Sequence, residues 1–164
     1  MKQALSGIAL SLAVACGFAS GAQAQQAKLF FEADMVRGDQ EGAPGPGCVL
    51  NSQFKHLEKV VWRLRILDAA GKELDDKALK SLVVELPDGQ KLAARFSAHP
   101  PPRIGPPLDY FWTARWIIPA EYPSGSFSYK VVATSLDGSS QTWEPFKSSQ
   151  SRLAVLDGAI EIKK

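Results

Sequence analysis

Few residues in this chain are of the types that do chemistry. His56 and His99 are the only histidines, Cys16 and Cys48 the only cysteines, and Met35 the only methionine besides Met1. A Ser/His/Asp relay needs one of those histidines held by a carboxylate beside a nucleophile. The order His99, Asp109, Ser124 supplies the residue types, but spacing alone generates such triples in a serine-rich chain, and no nucleophile-elbow motif accompanies them. No catalytic set is expected, and the chain is read as not an enzyme. Cys48, His56 and His99, joined by Met35, are the softer ligands that copper takes, so a copper-binding protein is one alternative. None of the four sits in a paired-His or Cys-x-x-Cys spacing, so no other cofactor is expected. Asp34, Asp39, Asp75, Asp76, Asp88 and Asp137 form no Asp-x-Asp-x-Asp loop for calcium.

Aromatic rings offer a third chemistry. Trp112, Trp116, Trp143 and the tyrosines could stack on sugars, which makes a carbohydrate-binding module the other alternative. Trp62, Trp112 and Trp116 alternate with aliphatic residues in core fashion, leaving Trp143, with Phe111, for a surface platform.

The stretch AHPPPRIGPPLD, residues 98–109, is the most constrained in the chain. Proline fixes φ, removes amide donors and pushes the preceding residue out of the helical region, so this connection is stiff, extended and unable to join a central strand. An ordered proline-rich loop beside a histidine is where a binding surface is expected. The partner-binding candidates are His99, Pro100, Pro101, Pro102, Arg103 and Phe111, together with the loop that carries Cys48. That loop, RGDQEGAPGPG, has no periodicity; its Arg37-Gly38-Asp39 tripeptide is too short to weigh as an adhesion motif.

Residues 1–24 read as a cleaved signal peptide: Lys2 is the positive start, residues 4–18 are the apolar run, and Ala22-Gln23-Ala24 fits the small-x-small cleavage pattern. Leu12-Ala13-Val14-Ala15-Cys16 resembles a lipobox with one departure, so a lipid anchor at Cys16 is the less favoured alternative. Cleavage after Ala24 leaves 140 of the 164 residues, enough for one domain over 25–164, with no membrane span expected. Of the formal charge of +2 only Lys2 is removed, and the resulting +1 gives no field for nucleic acid or an anionic membrane. The expected location is periplasmic or secreted. Cys48 would then be the only thiol in an oxidising compartment, without an internal disulfide partner, and is expected as a small buried hydrophobe.

The elements that must position these residues read as strands. Alternation predicts strands over 28–36 (at an edge), 48–54, 59–68, 81–90 paired with 91–97, 110–119, 122–138 and 139–146, with a last strand over 151–156. One short helical turn is predicted in LDDKALKS. Trp62, Leu64 and Ile66 face inward against Val61, Arg63 and Arg65. Leu92, Ala94 and Phe96 face inward from the partner of a hairpin closed by Pro87-Asp88-Gly89, and Tyr110, Trp112, Ala114, Trp116 and Ile118 share a face. Seven or eight short strands make an all-β, single antiparallel sandwich.

YPSGSFSYKVVATSLDG followed by SSQTWEPF resembles the closing hairpin of bacterial immunoglobulin-like or fibronectin type III-like modules, and Trp62 resembles the core tryptophan of such sandwiches without its flanking cysteines. The resemblance implies an immunoglobulin-like fold and assigns no reaction. The expected function is an exported, non-catalytic binding or accessory protein that recognises another exported protein through loop surfaces.

Overall fold

The computed structural model describes residues 28–99, 105–106 and 109–163. Residues 1–27, with Cys16 and the expected signal peptide, and residues 100–104, 107–108 and 164 lie outside the described part. The described chain is all-β, its helical content a single 3-10 turn at Ser149–Ser151, and no helix in it is long and apolar enough to cross a membrane.

Among the described residues twelve strands form three sheets. The largest has the order β2 (Val49–Leu50), β1 (Phe30–Arg37), β4 (Lys59–Leu67), β8 (Asp109–Ile117), β7 (Arg95–His99). The second runs β11 (Ser140–Trp143), β10 (Lys130–Ser135), β5 (Leu79–Glu85), β6 (Lys91–Ala93), and the third β3 (Gln53–His56), β12 (Leu153–Ala159), β9 (Gly125–Phe127). All pairings are antiparallel except β3 with β12.

The inward side chains of the three sheets meet in one core. Along β4 the exposure alternates strictly, with Val60, Trp62, Leu64 and Ile66 buried and Val61, Arg63 and Arg65 turned outward, as a strand's two-residue period requires. Leu82 and Val84 of β5, Val131 and Ala133 of β10, and Leu153 and Val155 of β12 complete the same cluster. Trp62 and Tyr129 meet edge to face across it, with ring centroids 5.6 Å apart.

The nine predicted segments, counted as seven or eight strands, become twelve strands among the described residues because three of them divide between sheets. In residues 91–99, β6 pairs with β5, Ala94 N–H donates to Leu82 O at 2.8 Å, and from Arg95 the chain pairs with β8 instead. Leu92, Ala94 and Phe96 all still pack against the core, so the alternation that predicted one strand persists through the change of sheet. The 48–54 segment divides likewise into β2 and β3, and the 122–138 segment into β9 and β10. β1 is not a simple edge, since β2 covers it at Val36 and Arg37.

Turn chemistry matches its residues. Gly89 and Gly138 take φ near +87°, which glycine adopts without strain, and close the β5–β6 and β10–β11 hairpins. LDDKALKS forms a single turn that does not extend into a helix: the Ala78 and Leu79 amides donate to Asp75 O at 3.2 and 3.1 Å, the Asp75 carboxylate accepts the Lys77 and Ala78 amides, both at 3.0 Å, and β5 starts at Leu79. Tyr110, expected inward, is 49% exposed at the end of β8, where its ring stacks on Phe96. Cys48, expected buried, is exposed, with φ +59° and its amide donating to Arg37 O at 2.7 Å.

Candidate functional site

Two of the expected partner-binding residues come together on the outer face of the five-stranded sheet. His99 closes β7 opposite Asp109, the first residue of β8, and its ring lies on that of Phe111 at 3.9 Å between centroids and 14° between planes. The His99 Nδ1–H donates to Ser97 O at 3.0 Å, which fixes the ring against the strand. Pro100, Pro101, Pro102 and Arg103 lie outside the described residues.

Beside this stack the sheet face is laced with ion pairs. Arg63 donates to both Asp34 carboxylate oxygens, at 2.7 and 2.5 Å, and this fork holds the guanidinium pKa above its usual value. Arg65 pairs with Asp109 and, at 3.7 Å, with Glu73. A shallow depression of about 340 Å³ lies between Glu32, Asp34, Arg63, Arg65, Asp109 and Phe111. Its guanidinium groups and the Asp34 and Asp109 carboxylates are already paired, and its ring stack is flat. Such a surface offers stacking and hydrogen bonding to a partner.

His56 occupies a different setting. Its Nδ1 lies 3.0 Å from Gly158 O and its Nε2 2.7 Å from Tyr122 O. A carbonyl only accepts, so this setting favours the doubly protonated ring, in which both nitrogens donate. The Tyr122 carbonyl, then that of Gly158, raises its pKa; burial opposes them and the Asp157 carboxylate adds to the rise. Both nitrogens face backbone carbonyl oxygens and neither is turned towards another candidate ligand. Met35 is buried on β1 opposite Trp62, Cys48 is exposed before β2, and His99 is stacked on Phe111, so the four copper candidates do not meet. Among the described residues no three His, Cys, Asp or Glu side chains converge to hold a metal ion.

Trp143 lies on the wall of a cleft at the junction of two sheets. Between β1 and β11 the sheets part around a cavity of about 600 Å³, with Phe31, Ala33 and Met35 on one side, Trp143 and Phe146 on the other, and Tyr129 between. Phe146 is 82% exposed and Leu50, on the rim, 66%. Burial pushes the Tyr129 hydroxyl up to about 12, against the neighbouring Trp62 indole, so it stays protonated as a donor. Asn51 and Gln150 add polar groups to the lining. The cleft joins side chains from elements far apart in the chain, and no spacing in the sequence marks it.

No protein-family model matches the chain, and no curated protein sequence matches it significantly.

Proposed function

We propose that the protein is an exported, non-catalytic binding or accessory module with an immunoglobulin-like sandwich fold, which recognises another exported protein through the loop surface around His99 and Phe111. The His99–Phe111 stack carries this reading, since two rings held parallel at 3.9 Å form a rigid, partly exposed platform at the root of the proline-rich segment. The ion-paired face beside it supplies a polar rim. The His56 nitrogens are committed to backbone carbonyls, and the recorded partners of His99 are the Ser97 carbonyl and the Phe111 ring, which supports a role in binding over acid–base work. The test is recovery of exported partners on immobilised protein. Phe111→Ala, or Gly at Pro100, Pro101 and Pro102, is expected to abolish capture while leaving the melting temperature nearly unchanged; undiminished capture refutes the surface.

The wall of the 600 Å³ cleft favours a second reading, a carbohydrate-binding module. An indole beside the hydrogen-bonding side chains of Asn51 and Gln150 and the Tyr129 hydroxyl is the combination that holds a sugar ring. Glycan-array binding that disappears in Trp143→Ala would select it.

A further inference from the structure

At the end of the molecule opposite His99, the turn between β5 and β6 and the loop after β8 enclose an open groove of about 820 Å³. Its walls are the rings of Tyr122 and Phe127, edge to face at 5.4 Å, with Pro87 and Pro119 beside them. Behind these the Tyr122 ring stands edge to face on the buried Trp116 at 4.8 Å, and the Tyr122 carbonyl is held by His56 at 2.7 Å. The aromatic ridges are thus fixed before anything binds, which lowers the entropy lost on docking. Two carboxylates, Asp88 and Glu121, line the same groove, both on exposed residues.

An open groove walled by aromatic rings and prolines suits an extended proline-rich segment, whose own stiffness reduces the ordering it must undergo. The two carboxylates call for a cation on that segment. The chain contains such a sequence in HPPPRIGPP, a run of three prolines followed at once by Arg103. We propose that this groove receives residues 99–108 of a second copy of the chain, with the prolines packed on the joined Tyr122 and Phe127 rings and Arg103 against Asp88 and Glu121. The inference rests on reading that segment as the recognising element and adds what receives it.

A chain cannot fill its own groove. The segment leaves from His99 and returns at Asp109, which face each other across β7 and β8, so its nine residues reach outward by roughly 17 Å at most. The groove lies past the far end of β8, whose nine residues span roughly 27 Å. Docking therefore runs head to tail, using different surfaces on the two copies, and builds rings or open chains instead of a two-fold dimer.

The probe is the synthetic peptide AHPPPRIGPPLD, titrated into the isotope-labelled mature protein. Saturable shifts at Tyr122, Phe127 and Glu121 are expected, with binding at least about tenfold weaker for the Arg103→Glu peptide and at high salt. Sedimentation velocity of the whole protein should show association that rises with concentration. Arg103→Glu alone, or Asp88→Asn with Glu121→Lys, should abolish it, and the two changes combined in one chain should restore it. Asn at 88 keeps the oxygen that accepts the Gln90 amide, so the turn is preserved. No shifts in the groove, or association indifferent to the charge changes, overturns the proposal. Peptide binding by a protein that stays monomeric also overturns it, assigning the groove to a proline-rich segment of a different protein. Capture of other exported proteins by the Pro-to-Gly variant is read separately, so failure of self-docking and failure of the binding reading are distinguishable.

Discussion

The two histidines sit at opposite ends of the molecule and have been put to opposite uses. His56 is 8% exposed, with both nitrogens bonded to backbone carbonyls of segments distant in sequence, so it works as a cross-link. His99 is bonded through one nitrogen to a carbonyl two residues away and spends its ring face on Phe111, so it works as part of a surface. Residue type does not distinguish them; the number and distance of their partners does. A group tied to remote backbone belongs to the fold, and one tied only locally is available for contact.

That contrast depends first on the core that holds the two ends apart. Trp62→Ala removes the largest fully buried side chain and should destabilise the protein by about 3–5 kcal/mol, seen as a lowered urea midpoint. A smaller loss would mean that the two ends are not joined through a common interior.

Next comes the His56 clasp, which titrates. Its folded pKa is raised above the ordinary histidine value by the two carbonyls, so its contribution is fully present below the unfolded pKa and is lost as pH rises through the folded one. The melting temperature should fall as pH climbs from 6 towards 9, and His56→Gln should remove most of that slope by destabilising the protein chiefly at low pH. A slope unchanged in His56→Gln would place the titration elsewhere and erase the distinction between the histidines.

The Asp34–Arg63 fork is a half-exposed pair, so Asp34→Ala should alter stability by no more than about 1 kcal/mol, and less in high salt. The smallest effect belongs to His99→Ala and Phe111→Ala, expected within about 0.5 kcal/mol of the parent in thermal melts. A large loss there would make the stack a structural element and sharpen the comparison against the binding surface.

The sequence carried much of the interior and little of the sites. Period-two alternation marked Trp62, Leu64, Ile66, Val131 and Ala133 as inward, because one-sided burial imposes that pattern wherever the strand pairs. The same pattern is blind to which sheet receives the strand, and so the passage through Ala94 from β6 to β7 left no trace in it. Cys48 was misread because hydrophobicity suggested burial, whereas its position after a glycine-rich loop, with φ +59°, turns it to solvent. The His99–Phe111 pairing was only half legible: the two residues were marked for the same surface, but their contact depends on β7 pairing with β8, a register no local pattern encodes. His56 was marked as a ligand because nothing local announces the carbonyls of Tyr122 and Gly158.

The parallel pairing of β3 with β12 bears on how the chain acquires its structure. His56 and Gly158 are 102 positions apart, and the third sheet has no central strand until β12 is in place. A polypeptide emerging amino end first can therefore collapse its two larger sheets while Phe54 still lacks Val155 opposite it. Closure of so long a loop makes the last step slow, and until then the chain remains open to proteases and holding chaperones.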